Sequence, residues 1–409
     1  MKILIIGAGI GGLTAALALH RLGHEVEVRE QAREIRALGV GINLLPHAVG
    51  VLSSHGLLDA LLQAGIEAHE YVFMNPFGQR ILGDARGRAA GYAHPQIAIH
   101  RGALQMILLD AVQVALGKDR VHTGSRLVGF DERDGRVKAR FAAPDGSAAG
   151  ESEADLMIAA DGIHSVVRAH FYPDEGPPKW NGVRLWRGTT VGQPFLGGAT
   201  IVKAGWTAQK FICYPIARWP DGRVLINWIA DLHQDSTTLL EREDWNRPGR
   251  IDDFLPAYAD WQFPFFDLQR MVRDAEGIFE FPMVDRDPLA RWSFGRVTLL
   301  GDAAHPMYPI ASNGASQAIL DAECIAAELA AGDDPVHALQ RYEAQRLPAT
   351  ARIVEMNRRQ GPDVILDIVR ERAPRGFERL EDVVPAAELE TIVGRYKEAA
   401  GHRQHRPAA

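Results

Sequence analysis

Apolar positions fall in short runs separated by glycine and by charged turns. Residues 2–6 (KILII) are continuously apolar, the pattern of a strand buried on both faces. Glycines follow at once, at 7, 9, 11 and 12, and Leu13 to Leu22 then carries an alanine-rich helical periodicity. Glu25 to Glu30 (EVEVRE) alternates like a second strand, so the chain opens with a βαβ unit. Two turn signals, Asp134-Gly135 and Asp145-Gly146, predict an antiparallel meander. A further buried strand, Asp155 to Ala160, runs straight into Asp161-Gly162. From about Pro173 to Pro288 the texture becomes rich in tryptophan, proline and β-branched residues. The stretches Val183 to Val191, Phe211 to Ile216 and Val224 to Ile229 there predict a mostly antiparallel sheet. A strand at Val297 to Leu300 and a long helix at Gly314 to Ala331 restore the α/β texture. Beyond Gly361 the chain is charged and helix-prone, and its end, His402-Arg-Gln-His-Arg-Pro, is expected to fray.

Composition narrows the picture further. The 409 residues are 46% hydrophobic and 24% charged, ordinary for a globular chain with room for two cores. Forty-five basic against 52 acidic residues leave a net charge of −7, so no basic field recruits nucleic acid or anionic membrane. The two cysteines, Cys213 and Cys324, sit in apolar surroundings and read as unpaired thiols in a reducing, cytoplasmic setting. The run Ile3 to Leu19 imitates a leader peptide, but its four glycines argue against one, and no later stretch is apolar enough to span a bilayer.

The loop Gly7-Ala8-Gly9-Ile10-Gly11-Gly12 fits G-x-G-x-x-G. Gly7 permits the tight turn, Gly9 lets a pyrophosphate approach the backbone, and Gly12 lets helix and strand pack closely. The phosphates would lie on the N-terminus of the helix beginning near Gly11, where free N–H groups and the dipole favour anions. Glu30, closing the second strand, is placed to accept the two ribose hydroxyls and disfavours a 2′-phosphate. The ligand is therefore FAD or NAD, and this motif alone does not choose between them. The expected fold class is α/β: a discontinuous Rossmann-like FAD- or NAD-binding domain at 1–175 and 286–360, an inserted, mostly antiparallel β-sheet domain at 176–285, and a helical tail at 361–409.

Two further motifs follow buried strands: Asp161-Gly162-Ile163-His164-Ser165 with Arg168, and Gly301-Asp302-Ala303-Ala304-His305-Pro306 with Pro309, Asn313-Gly314, Gln317 and Asp321 downstream. With the glycine loop, and in this order, they resemble the single-component FAD-dependent aromatic hydroxylases of the p-hydroxybenzoate hydroxylase fold, over Met1 to about Arg358. Within that group the stretches Arg36-Ala-Leu-Gly-Val-Gly-Ile-Asn, Ile99-His-Arg-Gly-Ala-Leu-Gln, Tyr258-Ala-Asp-Trp and Phe281-Pro-Met-Val-Asp-Arg look most like the phenazine-carboxylate hydroxylases. Nicotinate- and salicylate-type hydroxylases are more distant.

The resemblance implies site roles. Asp302 would bind the ribityl chain, and Asn313, Gly314 and Ala315 would turn helix N–H groups toward the flavin pyrimidine edge. Arg101 matches a cofactor-contacting arginine, Leu127 a position whose backbone meets the adenine side, and Asp161 lies beside FAD and the nicotinamide donor. Arg168 would either touch that donor or form a salt bridge within its own segment, and His305, with no second ligand at sensible spacing, reads as a packed histidine rather than a metal ligand. Tyr214 resembles a substrate-binding tyrosine, with Trp186, Arg187, Trp228, Met307 and Tyr308 as further substrate or core candidates. Arg187, if directed inward, would hold a carboxylate.

With only one dinucleotide fingerprint, NADH or NADPH is expected to visit transiently. By resemblance it reduces FAD, oxygen adds at the flavin C4a carbon, and the hydroperoxide passes a hydroxyl group to an activated ring, in the phenazine and salicylate relatives with loss of carbon dioxide. Two other readings stay open at this level: a same-fold FAD oxidoreductase performing epoxidation, Baeyer–Villiger oxidation or reduction, and a non-enzymatic flavin-binding redox sensor. The expected partners are a small aromatic acid and, at most, a second copy of the chain.

Overall fold

The computed structural model describes residues 1–234, 247–332, 334–359 and 363–399. The chain divides into two compact units, one comprising Met1–Gly65, Ile99–Lys179 and Val284–Val354, the other Ile66–Ala98, Trp180–Met283 and the chain from Glu355 onward.

In the first unit, Lys2–Ile6 is an inner strand of a six-stranded sheet. The order is Ser293–Phe294, Val297–Leu299, Leu156–Ala159, Lys2–Ile6, Glu25–Arg29, Val121–His122. All neighbours run parallel except the outermost pair, Ser293–Phe294 with Val297–Leu299. Ile3, Leu4 and Ile5 are wholly buried, as an uninterrupted apolar run requires. The first helix, Ile10–Arg21, starts inside the glycine loop, next to the start expected near Gly11, and every residue from Ile10 to Leu19 is buried. The helices Arg101–Leu116 and Gly314–Ala330 pack on it. The meander forms as Arg126–Arg133, Arg136–Ala142 and Ala148–Ala154. Its first turn has φ of +51° at Asp134 and +74° at Gly135, the mirror-image geometry that suits a tight hairpin.

The second unit is built on a seven-stranded sheet, ordered Ile278–Asp285, Lys179–Gly192, Val224–His233, Gln209–Arg218, Thr200–Trp206, Glu70–Met74, Arg80–Ala85. The alternation of its strands separates two cores. Trp186, Phe211, Cys213 and Trp228 lie on one face, and Ile201, Ile212, Tyr214 and Ile216 on the other. The helix Val364–Arg372 adds Ile365, Leu366 and Val369 to a third cluster with Phe73 and Ile81.

The two units meet at Lys179–Trp180 and Met283–Val284, and two segments outside the central stretch join the second unit. Residues 66–98 fold with the second unit, because Glu70–Met74 and Arg80–Ala85 extend its sheet, Glu70–Met74 through parallel pairing with Thr200–Trp206. The C-terminal helices also belong to that unit instead of forming a separate tail. The terminal stretch expected to fray lies outside the described residues. Among the described residues no helix is long and apolar enough to cross a membrane.

Candidate active site

The glycine loop is held by close approaches that leave no room for side chains at two positions. Gly7 has φ +103°, and a Cβ there would lie 2.4 Å from the Ala160 carbonyl oxygen. A Cβ on Gly12 would lie 2.1 Å from the Gly7 carbonyl oxygen, so helix and loop touch backbone to backbone. At Gly9 a Cβ meets no protein atom within 4 Å, which leaves open space over the loop. Glu30 accepts the Ala8 N–H on one carboxylate oxygen and the Ala32 N–H on the other, both at 2.8 Å. Each oxygen keeps a lone pair for a further donor. The Gly124 and Ser125 N–H groups bond Ala32 and Glu30 carbonyls, which brings the start of the strand carrying Leu127 beside Glu30. The Leu127 side chain itself is buried.

Asp302 stands on a short 3₁₀ turn after Leu300 and is exposed. Desolvation by the surrounding protein raises its carboxyl above the usual range, against the pull of His305 and Arg101. Asn313, Gly314 and Ala315 begin the helix Gly314–Ala330, half-buried and without a side-chain cap, so the first N–H groups remain available. Arg101, the first residue of its helix, is exposed and packs against Gly39. Met307 is half-buried and Tyr308 buried in the segment that links Asp302 to this helix.

A buried ionic strut fixes the Asp302 turn. Asp321 accepts from His305 Nε2 at 2.6 Å, from Arg346 Nε at 2.7 Å and from the Gly301 N–H at 3.1 Å. Burial raises its carboxyl, but the pull of His305 and Arg346 prevails and holds it below the ordinary range. His305 is thus a structural partner of Asp321. Arg168, 1% exposed, is the second strut. Its guanidinium donates to both Glu175 oxygens, to the carbonyls of Ala303 and Ala304, and to that of Asp287. All its donors are directed into protein, which decides for the salt bridge over contact with a nicotinamide donor. Asp161 accepts the Val166 N–H at 2.9 Å on one oxygen and leaves the other buried and unpartnered. Burial raises its carboxyl.

In the second unit the expected substrate residues separate by strand alternation. Tyr214 is buried, and Arg187, on the same sheet face, donates a hydrogen bond to its hydroxyl. Burial pushes the Tyr214 phenol up to about 12, with Arg187 opposing the rise. Trp186 and Trp228 lie on the opposite face, as core. Trp186 stacks on Phe254 and donates to Glu280, and Trp228 donates to Thr190. Of the two readings open for each, substrate contact or core, both side chains pack as core, and residue 186 cannot share a face with 187.

These residues fit FAD on the geometry of the first unit. The open space over Gly9 suits a pyrophosphate, Glu30 a ribose, Asp302 a polyol hydroxyl and the uncapped helix start an anionic ring edge. Sequence reasoning passed over Gln105, whose Nε2 donates to the Ala8 carbonyl at 2.8 Å and ties the glycine loop to the next helix. It also passed over Arg346, which no local pattern announces. Asp302→Ala should weaken FAD binding by roughly 10–100-fold, the loss of one or more charge-assisted hydrogen bonds. FAD titration of the stripped protein checks this, and wild-type affinity would remove Asp302 from the site.

The family model described as "FAD binding domain" matches residues 1–177 and 265–357. Phenazine 1,6-dicarboxylic acid hydroxylase PhzS of Lysobacter antibioticus is 44% identical over 97% of this chain and 96% of its own length. The 3-amino-4-hydroxybenzoate 2-monooxygenase PtnB3 of Streptomyces platensis is 33% identical over 93% of this chain and 94% of its own. Among solved structures, Klebsiella pneumoniae HpxO complexed with FAD and uric acid superposes with a TM-score of 0.78 at 25% identity, covering 98% of this chain and 96% of that one.

Proposed function

The chain belongs to the FAD binding domain family and is an FAD-dependent aromatic hydroxylase, and from that premise we propose that it hydroxylates a fused heteroaromatic carboxylic acid gripped by Tyr214 and Arg187. Bound FAD, reduced by NADH or NADPH, supplies the activated oxygen that becomes the new hydroxyl group. What the chain's own residues contribute is position, dryness and polarity.

The observation that carries the reading is the pairing of buried Tyr214 with half-buried Arg187 on one sheet face. The Tyr214 hydroxyl, polarised by the hydrogen bond from Arg187, suits a ring substituent as a partner. The phenol stays protonated across the physiological range, since burial holds it near 12. A guanidinium suits a carboxylate, whose planar fork matches its own. The relative that is 44% identical is named for a phenazine dicarboxylic acid, which favours a tricyclic acid over a benzoate. If the ring carbon bearing the carboxylate is the one attacked, the new C–O bond replaces the C–C bond and carbon dioxide leaves. A cytoplasmic location belongs to the same reading, supported by two unpaired cysteines whose thiols burial keeps protonated.

The test is NADH and NADPH oxidation by FAD-loaded enzyme with phenazine, nicotinate and hydroxybenzoate carboxylates, with product masses read from the same tubes. A product one oxygen heavier, with or without loss of carbon dioxide, supports the reading. Unstimulated oxidation with every acid overturns the substrate class. Tyr214→Phe should raise KM for the acid about tenfold, the worth of one buried hydrogen bond, with FAD content unchanged. Unaltered KM would move the substrate grip elsewhere.

A further inference from the structure

The helix Gly314–Ala330 begins at an asparagine that does not cap it. At this place an asparagine ordinarily takes an extended backbone and lets its side-chain oxygen accept from the second or third helical N–H. Asn313 instead has φ −91° and ψ −30°, a helical conformation, and makes no cap bond. Its backbone carbonyl nevertheless accepts the Gln317 N–H at 2.9 Å, the first bond of the helix, so it stands at the capping position. The side chain is engaged elsewhere: Oδ1 accepts from Gln317 Nε2 at 3.5 Å. The serine of the same first turn is also turned away, since Ser316 Oγ accepts the Leu45 N–H at 3.1 Å.

Gln317, buried, is itself held. Arg346, on the helix Pro335–Arg358, donates through Nη2 to Gln317 Oε1 at 2.5 Å and to the Gln317 carbonyl at 3.4 Å. A guanidinium only donates, so the Gln317 amide turns its oxygen to Arg346 and its NH2 group to Asn313. Asn313 must in turn present its oxygen. One arginine thus sets the orientation of two amides in series. Its Nε also bonds Asp321 Oδ1 at 2.7 Å, and the other Asp321 oxygen accepts the Gly301 N–H at 3.1 Å, beside Asp302. Arg346 therefore addresses both the turn that carries Asp302 and the start of the helix.

We infer that Gln317, oriented by Arg346, is a positioning residue for the flavin: it draws the Asn313 side chain off the start of its own helix and keeps the first N–H groups open to the flavin ring edge. The inference rests on the reading of this helix start as part of the FAD site. Its physical basis is competition for the Asn313 oxygen. With Gln317 present, that oxygen has a donor away from the helix start. Without it, a rotation of the Asn313 backbone to the extended form lets the oxygen cap the helix, and it then fills the place of an anionic ring edge. Reduced flavin carries more negative charge at that edge than oxidised flavin. Loss of the donors therefore costs the reduced form more, and the reduction potential falls.

The experiment measures the midpoint potential of FAD in the full-length enzyme, with melting followed on the same samples. Gln317→Met keeps the side-chain length and the Arg346–Asp321 pair while deleting the donor. Its potential should fall by about 30 mV, which corresponds to a tenfold weaker hold on reduced relative to oxidised flavin. An unmoved potential overturns the proposal, and a lower melting temperature beside it marks a residue that only supports the fold. In Gln317→Met with Asn313→Ala no side chain is left to cap, so the potential should return to the wild-type value. A potential that stays low in this double variant overturns the proposal as well. Should Gln317→Met fail to fold, Gln317→Glu keeps the bond to Arg346 and, as a carboxylate, offers Asn313 no donor. The added charge lowers the potential whether or not Asn313 is present, so the support lies in the part of the drop that Asn313→Ala reverses, and no reversal overturns the proposal. Titration of stripped Asp302→Ala with FAD runs alongside. Wild-type affinity there removes the FAD site from this place, whereas weakened binding there with an unmoved potential in Gln317→Met sinks only the role of Gln317.

Discussion

Gly9→Ala is expected to give a folded protein that binds FAD at least about 100-fold more weakly, which corresponds to the loss of roughly 3 kcal/mol of pyrophosphate contact. The backbone tolerates the change, with φ −73° and ψ 179° at Gly9, and the added methyl meets no protein atom within 4 Å. It enters only the space the ligand needs. Gly12→Ala makes a sharp contrast. Its methyl would sit 2.1 Å from the Gly7 carbonyl oxygen, a clash internal to the protein, so the FAD-free form itself should lose about 1–3 kcal/mol or more. Thermal melts of stripped protein, paired with FAD titration, separate the two. Gly9→Ala should melt with wild type and fail to bind, and Gly12→Ala should melt early. Tight FAD binding by Gly9→Ala would show that the loop is not where the pyrophosphate lies.

Arg168→Met should be the most destabilising single change in the first unit. The guanidinium is 1% exposed and satisfies Glu175 and three backbone carbonyls at once. Its removal leaves the carbonyls of Ala303, Ala304 and Asp287 without this donor, and Glu175 with only Arg286. The cost expected for breaking such a buried pair is roughly 3–5 kcal/mol. Two of those carbonyls belong to the turn that carries Asp302, so the FAD retained through gel filtration should fall with stability. Arg168→Lys should rescue only part, because one ammonium cannot span a bidentate carboxylate and three carbonyls. Normal melting and full flavin content in Arg168→Met would mean that the turn holds itself.

What could be read in advance follows the range over which each signal acts. The glycine loop, Glu30 and the Asp134-Gly135 turn were legible because their geometry is set within a few neighbouring residues. Glu70–Met74 was not, since its place in the sheet depends on pairing with Thr200–Trp206, more than a hundred residues away in the chain. The same holds for Lys203 and Asp363, separated by 160 positions, and for Arg346, which reaches Asp321 from a different helix. The choice between substrate and core for Trp186 and Trp228 was open to a local argument. Consecutive residues of a strand point to opposite faces, so choosing Arg187 for the Tyr214 face excludes Trp186. Trp228 falls to the far side likewise, through its register with Cys213.

Each unit draws on three separate stretches of the chain, and this has a consequence for how the protein is made. A ribosome releases Lys2–Ile6 long before Val297–Leu299 can complete the sheet around it. Lys203 and Lys210 emerge well ahead of Asp363, the carboxylate that neutralises them. Neither unit can therefore mature while translation is under way, and the usual sequence in which an early domain folds before a later one is closed to this chain. A message cut short before Asp363 yields a polypeptide whose buried Lys203 and Lys210 lack the carboxylate that bonds both of them.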